Sequence, residues 1–268
     1  MEGTEIDMAP HDDFPVPAVF RRHAFRDDDE SITSALWQID HMCEHVGRED
    51  LADVELLDFG CGTRFSRALI SRSMPIKRYV GFDVYRKMIE FLRKSVRDPR
   101  FEYFHINAHN ALYNPKGELL SEEMALPIAG QTFDVICLFS VFSHLAPRDY
   151  HMMLKLLRRY VKPGGKLFYT LYIDEHTEDG RGLMDRWRAN ILSRLSPEEI
   201  ARAIEKYKSS EPPTIEPFKD LAPNNPLKWA VYSEQHAREL IEGTGWQALT
   251  LSPPIGFVRQ HHFVCAPS

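Results

Sequence analysis

No two of the four cysteines in this 268-residue sequence stand in a C-x-x-C spacing. Cys43, Cys61, Cys137 and Cys265 are far apart in apolar surroundings, with no Cys/His zinc pattern around them. That excludes a disulfide scaffold and predicts reduced, buried thiols, and no residue is assigned to a metal. No apolar run approaches the roughly 20 residues that span a bilayer. Met1–Pro17 is acidic and proline-containing, without the basic start and apolar stretch of a secretory signal. A cytoplasmic protein with no membrane partner is therefore expected. Positive charge is not in excess either: 33 Lys and Arg stand against 39 Asp and Glu, a net charge of -6. Nucleic-acid binding draws on a basic face, so no nucleic-acid partner is expected. There is also no internal repeat, which sets solenoids aside. Oligomeric state leaves no mark on the sequence.

Hydrophobic residues make up 43% and charged residues 27%, an ordinary soluble composition. The length suffices for one large α/β domain or a domain with an insertion. Residues 1–18 have the composition of a poorly ordered arm. The acidic run Asp27–Glu30 then precedes a helix in which Ile32, Leu36, Ile39, Met42, Cys43 and Val46 share one face, with Gly47 as its stop. From there strands and helices alternate. Strands are expected at Val54–Phe59, Arg78–Asp83, Phe101–Ile106, Phe133–Ser140 and Lys166–Ile173. Helices are expected at Phe65–Arg72, Tyr85–Val96 and Arg148–Val161. The nearly all-apolar Phe133–Ser140 predicts a strand covered on both faces. The alternation breaks over Asp174–Ala230. Helices are expected there at Leu183–Leu195 and, behind the capping box Ser196-Pro197-Glu198-Glu199, to about Lys208. The proline-rich tract Glu211–Pro226 reads as a loop. A helix at Ser233–Glu242 and strands at Trp246–Leu251 and Phe257–Val264 close the chain. The short link Ser252–Gly256 forces the last two strands to be antiparallel, because a parallel crossover needs a dozen residues or more. The fold class is α/β: a doubly wound Rossmann-like sheet of five parallel strands plus an antiparallel C-terminal pair, with helices on both faces. Ligands in such sheets sit beyond the carboxyl ends of the strands, where the strand order reverses.

Two features there carry chemistry. In Leu57-Asp58-Phe59-Gly60-Cys61-Gly62-Thr63, the glycines permit a tight turn and a close backbone approach to a ligand, and Asp58 could meet a cationic group. A plain strand-to-helix turn would look the same. Asp83 ends the next strand, where an acid can hold a ribose diol, or equally cap the following helix. Both a nicotinamide dinucleotide and an adenosylmethionine use this arrangement. A dinucleotide, and with it a nucleotide-dependent oxidoreductase, is disfavoured by Phe65, which fills the position where the pyrophosphate fingerprint wants a small residue.

In five places the chain resembles the class I S-adenosylmethionine-dependent methyltransferase family: Leu57–Thr63; Gly81-Phe82-Asp83-Val84 with Met88-Ile89; Ala125–Ile136; Ser140–Leu145; and Leu157–Leu167 with its Lys162-Pro163-Gly164-Gly165 turn. The resemblance covers Val54–Ile173 strongly and Ser233–Cys265 more weakly, and the order and spacing of the five stretches carry it. It implies S-adenosylmethionine as cofactor, with the backbone of Gly60, Cys61 and Gly62, beside Asp58, facing its amino-acid part. It further implies that Asp83 holds the ribose, Val84 packs on the adenine, and Asn107 with Ala108 lies near the adenine amine. Phe139 and Ser140 would offer carbonyls near the ammonium group. Two positions depart from the family pattern: Arg64 where glycine is frequent, and Asn107 where an acid is frequent. The segment His109–Glu123 is also longer than usual.

Methyl transfer asks the protein for alignment, exclusion of water and, for a hydroxyl acceptor, a base. His144, just after the fourth strand, is the best base candidate, with packing or capping as its plain alternative. Glu175 and His176 are weaker. The stretch Phe139-Ser140-Val141-Phe142 is not the Asn/Asp-Pro-Pro-aromatic run of base-amine methylases, so a small-molecule or saccharide-like acceptor is expected. Residues 1–50 are expected to form an arm and lid helix, and residues 51–268 the catalytic domain, with a helical lid insertion at about 174–230. The departures at Arg64 and Asn107 keep open a catalytically silent adenosylmethionine-binding or scaffolding protein.

Overall fold

The computed structural model of the chain describes residues 16–20, 28–128, 130–174, 196–199, 217–220, 226–254 and 260–268. Five parallel strands, β1 (Leu51–Phe59), β2 (Ile76–Asp83), β3 (Phe101–His105), β4 (Phe133–Leu138) and β5 (Val161–Ile173), lie in the order β3-β2-β1-β4-β5. They alternate with α2 (Arg64–Ser71), α3 (Arg86–Ser95) and α4 (Pro147–Arg158), and α1 (Asp28–Val46) precedes them. Successive strand side chains point to opposite faces, which splits the core in two. Leu57, Phe59, Val80, Phe82, Ile136 and Leu138 pack with α4 on one face; Val54, Leu56, Tyr79, Val135 and Cys137 pack with α1, α2 and α3 on the other. The sheet is thus doubly wound, and its strands are apolar on both sides because both are covered.

The chain then adds β6 (Phe218–Asp220), β7 (Ala230–Tyr232), α5 (Glu234–Glu239), β8 (Trp246–Ser252) and β9 (His261–Pro267). β9 runs antiparallel on β5, and β8 runs antiparallel on β9, the ending the short link requires. All four cysteines are buried and free. Among the described residues no helix is long and apolar enough to cross a membrane.

Three expectations are corrected. The helix expected to run to Val161 ends at Arg158, and Val161 already pairs with Phe133 of β4. The ladder then jumps to Val135–Lys166, so Lys162–Gly165 bulges out. The bulge demands glycine twice: Gly164 has φ +79, and a Cβ on Gly165 would meet the Asp134 carbonyl oxygen at 2.9 Å. Lys162 caps the bulge with ion pairs to Glu55 (2.7 Å) and Asp134 (2.9 Å), which gives the acid Glu55 of β1 its role. The proline-rich tract read as a loop contains β6. And the insertion, expected as a helical lid not needed to complete the sheet, contributes to it, because β6 pairs with β7, and β7 lies parallel on Tyr172–Ile173 of β5. The capping box holds as read: Ser196 N–H donates to Glu199 Oε2 (2.8 Å) and Glu199 N–H to Ser196 Oγ (3.3 Å), with Pro197–Glu199 helical. The helix expected at 183–195, the rest of that at 197–208, Glu175, His176 and nearly all of the N-terminal arm lie outside the described residues.

Candidate active site at the carboxyl ends of the strands

The strand order reverses between β1 and β4, and the turn leaving β1 opens onto that crevice. Gly60 has φ +77, a conformation other residues resist. Its N–H and that of Cys61 both donate to the Phe82 carbonyl, at 2.7 and 2.9 Å, fastening the turn to β2. A Cβ on Gly60 would lie 2.3 Å from Val141 Cγ2, so the turn and the segment after β4 touch through the missing side chain. Cys61 turns its thiol inward: its Sγ would lie 3.0 Å from a Cβ on Gly81, which is why β2 carries glycine there. Gly62 differs. At φ +52 its absent Cβ would meet nothing within 4 Å, leaving a bare stretch of backbone facing open space.

Asp83 stands over that stretch. Its Oδ2 accepts from Gly62 N–H (3.1 Å) and its Oδ1 from Tyr85 N–H (2.9 Å). α3 starts at Arg86 with Tyr85 as its cap, so Asp83 braces the loop ahead of the helix without capping the helix itself. Val84 follows it, half-buried against the core face that holds Phe82. Asp58 faces the other way. Its carboxyl is 2% exposed and accepts a 2.6 Å hydrogen bond from the Tyr79 hydroxyl. Burial pushes its pKa up to about 6, against the pull of the Tyr79 and Cys137 hydrogen bonds and the charge of Arg64. The cation in its field is therefore Arg64. That residue donates to Gln38 Oε1 (2.6 Å) and Ser34 Oγ (3.3 Å) on α1, and its guanidinium lies over Phe65, 5.3 Å from the ring centroid. Phe65 stacks in turn on Phe139 at the end of β4 (5.3 Å, 26°). Rings thus fill the space behind the start of α2.

Ser140 follows β4 with φ +61, unusual for a residue with a side chain. Its N–H donates to Thr170 Oγ1 (2.7 Å) and its hydroxyl to Gln260 Oε1 (3.1 Å); Thr170 also donates to Gln260 (2.5 Å). β5 and β9 thus hold the bend in place. Asn107 and Ala108 continue β3, whose next residue, Ile106, donates its N–H to the Asp83 carbonyl (3.1 Å). The long segment after them folds back: Glu118 bridges Ala108, Asn107 Nδ2 donates to Glu118 Oε1 (3.2 Å), and Asn107 Oδ1 accepts from Asn114 (3.2 Å). A carboxylate therefore stands beside Asn107 after all, supplied by Glu118. His144 ends a short 3-10 helix, Phe142–His144, with its Nδ1 3.1 Å from the Leu227 carbonyl and its ring edge-on to Tyr113 (6.0 Å). Bonding a carbonyl puts the proton on Nδ1 and the lone pair on Nε2, the form a base needs.

The sequence-expected residues therefore converge on one end of the sheet: Asp58, Gly60, Cys61, Gly62, Asp83 and Val84 from β1 and β2, Asn107 and Ala108 from β3, Phe139, Ser140 and His144 from β4. Sequence reasoning missed Thr170, Gln260, Leu227 and Glu118. The only advance signals were the length of the 109–123 segment and a polar Gln260 at the start of an apolar strand.

Known proteins show the same architecture. The model of a family described as Methyltransferase domain matches residues 21–209. A curated relative, the malonyl-[acyl-carrier protein] O-methyltransferase of Acetivibrio thermocellus, is 23% identical over 121 residues, which is 41% of this chain and 43% of that protein. The chain thus spans less than half the length of that relative. Among solved structures, the glycopeptide N-methyltransferase MtfA aligns with a TM-score of 0.50 at 12% identity, over 89% of this chain and 90% of that one. LepI in complex with SAM aligns with a TM-score of 0.51 at 12% identity, over 85% of this chain and 46% of that one. These likenesses are of fold, whereas the family match takes in α1, the glycine turn and all five parallel strands, and on that ground the chain belongs to the methyltransferase-domain family.

Proposed function

We propose that the chain transfers a methyl group from S-adenosylmethionine to a small-molecule or saccharide-like acceptor. The observation that carries this reading is the Asp83 carboxylate fixed over Gly62, where bare backbone faces open space at the point of strand reversal. An acid there suits a ribose diol, and a backbone without Cβ suits the close approach of the amino-acid end. The residues fit the group: Asp83 would hold the ribose, Val84 the adenine, Asn107 and Ala108 with neighbouring Glu118 the adenine amine, Gly60–Gly62 with Phe139 and Ser140 the amino-acid part. Asp58 would add a buried negative charge behind it.

When bound, S-adenosylmethionine supplies an already activated methyl group, so the protein's task is orientation and dryness. His144, its tautomer set by the Leu227 carbonyl, would take the proton of a hydroxyl acceptor. α1 and the insertion at about 174–230 would cover the acceptor, with Arg64 tying α1 to the turn. The acidic net charge and the Phe139–Phe142 stretch support an acceptor other than nucleic acid. Calorimetry with S-adenosylmethionine, S-adenosylhomocysteine and NAD tests the cofactor: both adenosyl compounds bind and NAD does not. Failure of both would overturn the reading. Transfer of a labelled methyl group to metabolite pools tests turnover, and binding without transfer to any pool would favour the silent alternative.

A further inference from the structure

The proposed methyl transfer leaves one constellation on α1 without a role: His41-Met42-Cys43-Glu44-His45. Positions three and four apart share a helix face. One ligand-capable atom from each of His41, Glu44 and His45 accordingly lies within 4.8 Å of the other two. Two imidazoles one helical turn apart with an acid beside them form a donor set of the kind that holds a divalent transition metal.

The orientation of the rings strengthens this. His45 Nδ1 lies 3.0 Å from the His41 carbonyl. That bond places the proton on Nδ1 and the lone pair on Nε2, the outer-shell arrangement usual for metal-binding histidines. His41 Nε2 is buried and has no hydrogen-bond partner among the described residues. Its ring is wedged, stacked on Trp37 (5.6 Å, 9°) and edge-on to Phe168 (6.0 Å). His262 of β9 borders the group, its ring centroid 5.6 Å from that of His41, with its own Nε2 buried and without a hydrogen bond among the described residues. Native proteins rarely leave such nitrogens unbonded, and the unbonded nitrogen of His41 lies on a residue of the donor set itself. The group has a dry side, formed by these rings, and a wet side, where Glu44 is exposed and His45 half-buried. An ion could therefore enter from solvent and keep water on its open positions.

We propose that His41, Glu44 and His45 bind one divalent ion of the zinc class, through the two imidazoles and the carboxylate, on the α1 face turned towards β9. Imidazole with carboxylate favours zinc over magnesium or calcium, which prefer all-oxygen sites. The site lies three residues beyond Gln38, the residue that holds Arg64, so the ion would stiffen the half of α1 that follows the lid contact.

The test uses the full chain, stripped with a chelator and titrated with Zn2+ against a chromophoric chelator, with the absorption of Co2+ as a second readout. One equivalent binds. His45→Gln lowers the affinity at least about tenfold, as loss of a ligand requires, and Glu44→Gln lowers it less. Both positions are outside the core, and circular dichroism checks that the fold is kept. His236→Gln, which removes another helical histidine beside an acid (Glu239, 3.4 Å), leaves affinity unchanged. Binding short of one equivalent, full affinity in His45→Gln, or an equal loss in His236→Gln would each overturn the site. None of these outcomes depends on methyl transfer.

Discussion

Replacing Asp58 by asparagine changes one charge and little else. The carboxyl is closed off from solvent, its Oδ2 accepts from Tyr79 at 2.6 Å, and its pKa stands at about 6. In an unfolded chain the same group titrates near 3.9. The folded state therefore holds the proton more tightly, so ionisation at neutral pH works against folding and the penalty fades as pH falls through 6 towards 4. Linkage puts the penalty at about 3 kcal/mol at pH 7, about 1.5 at pH 5 and about 0.5 at pH 4. An asparagine keeps an oxygen for the Tyr79 hydroxyl and carries no charge. The unliganded Asp58→Asn protein should thus be more stable than the parent at pH 7, by an amount approaching that figure, and the gap should close on acidification. Urea melts at several pH values between 4 and 7 measure it. A variant less stable at pH 7, or a gap that does not narrow with acid, would refute the reasoning. The penalty also says what the carboxylate is for. An amide would serve the fold better, so a buried charge here makes sense only beside a cation, and that cation is Arg64.

Three further outcomes follow from the same end of the sheet. Gly60→Ala forces a side chain to φ +77 with its Cβ 2.3 Å from Val141 Cγ2, so it should cost about 2–4 kcal/mol in denaturant melts, and adding Val141→Ala should recover only the steric part. Asp83→Ala should weaken S-adenosylmethionine binding at least about tenfold by calorimetry, since two charge-assisted hydrogen bonds to a ribose would go; unchanged affinity would end the ribose assignment. His144→Gln, on an identified hydroxyl acceptor, should lower kcat by about a hundredfold with cofactor affinity intact, and an unchanged kcat would leave His144 a packing residue bonded to Leu227.

What the sequence could announce was what repeats or what is long. The parallel strands are legible because both faces are covered, so each strand carries apolar residues on both its sides. β6 and β7 are not, because three residues carry no period and Pro217 and Pro226 flank them; their pairing is decided by the Phe218–Tyr232 contact (5.1 Å) across the hairpin. The end of α4 was misplaced because Val161 is apolar at helical spacing, and only its strand partner Phe133 claims it for β5. The glycine turn and Asp83 were legible from spacing; the bracing of Ser140 by Thr170 and Gln260 was not, since those residues come from two distant strands. The spacing of His41 and His45 is plain in the sequence too, but it gains weight only when α1 is seen to carry them against Trp37 and His262 with ring nitrogens left unbonded.

Arg64 shows how a departure from a motif can be half of a second feature. Read alone, an arginine where the family often has glycine weakens the turn. In the fold it opens α2 directly beneath α1, and its guanidinium reaches Gln38 and Ser34, two polar side chains that are themselves buried. Without the arginine those groups would lose their partner in a site closed to water, at a cost of about 1–3 kcal/mol each. A glycine at this position would leave α1 without its polar anchor over the turn, and the same guanidinium offsets the charge of Asp58. The arginine, the serine and the glutamine therefore stand or fall together with the N-terminal helix. The packing of α1 on the turn accounts for the change, so it is not by itself an argument for a silent protein.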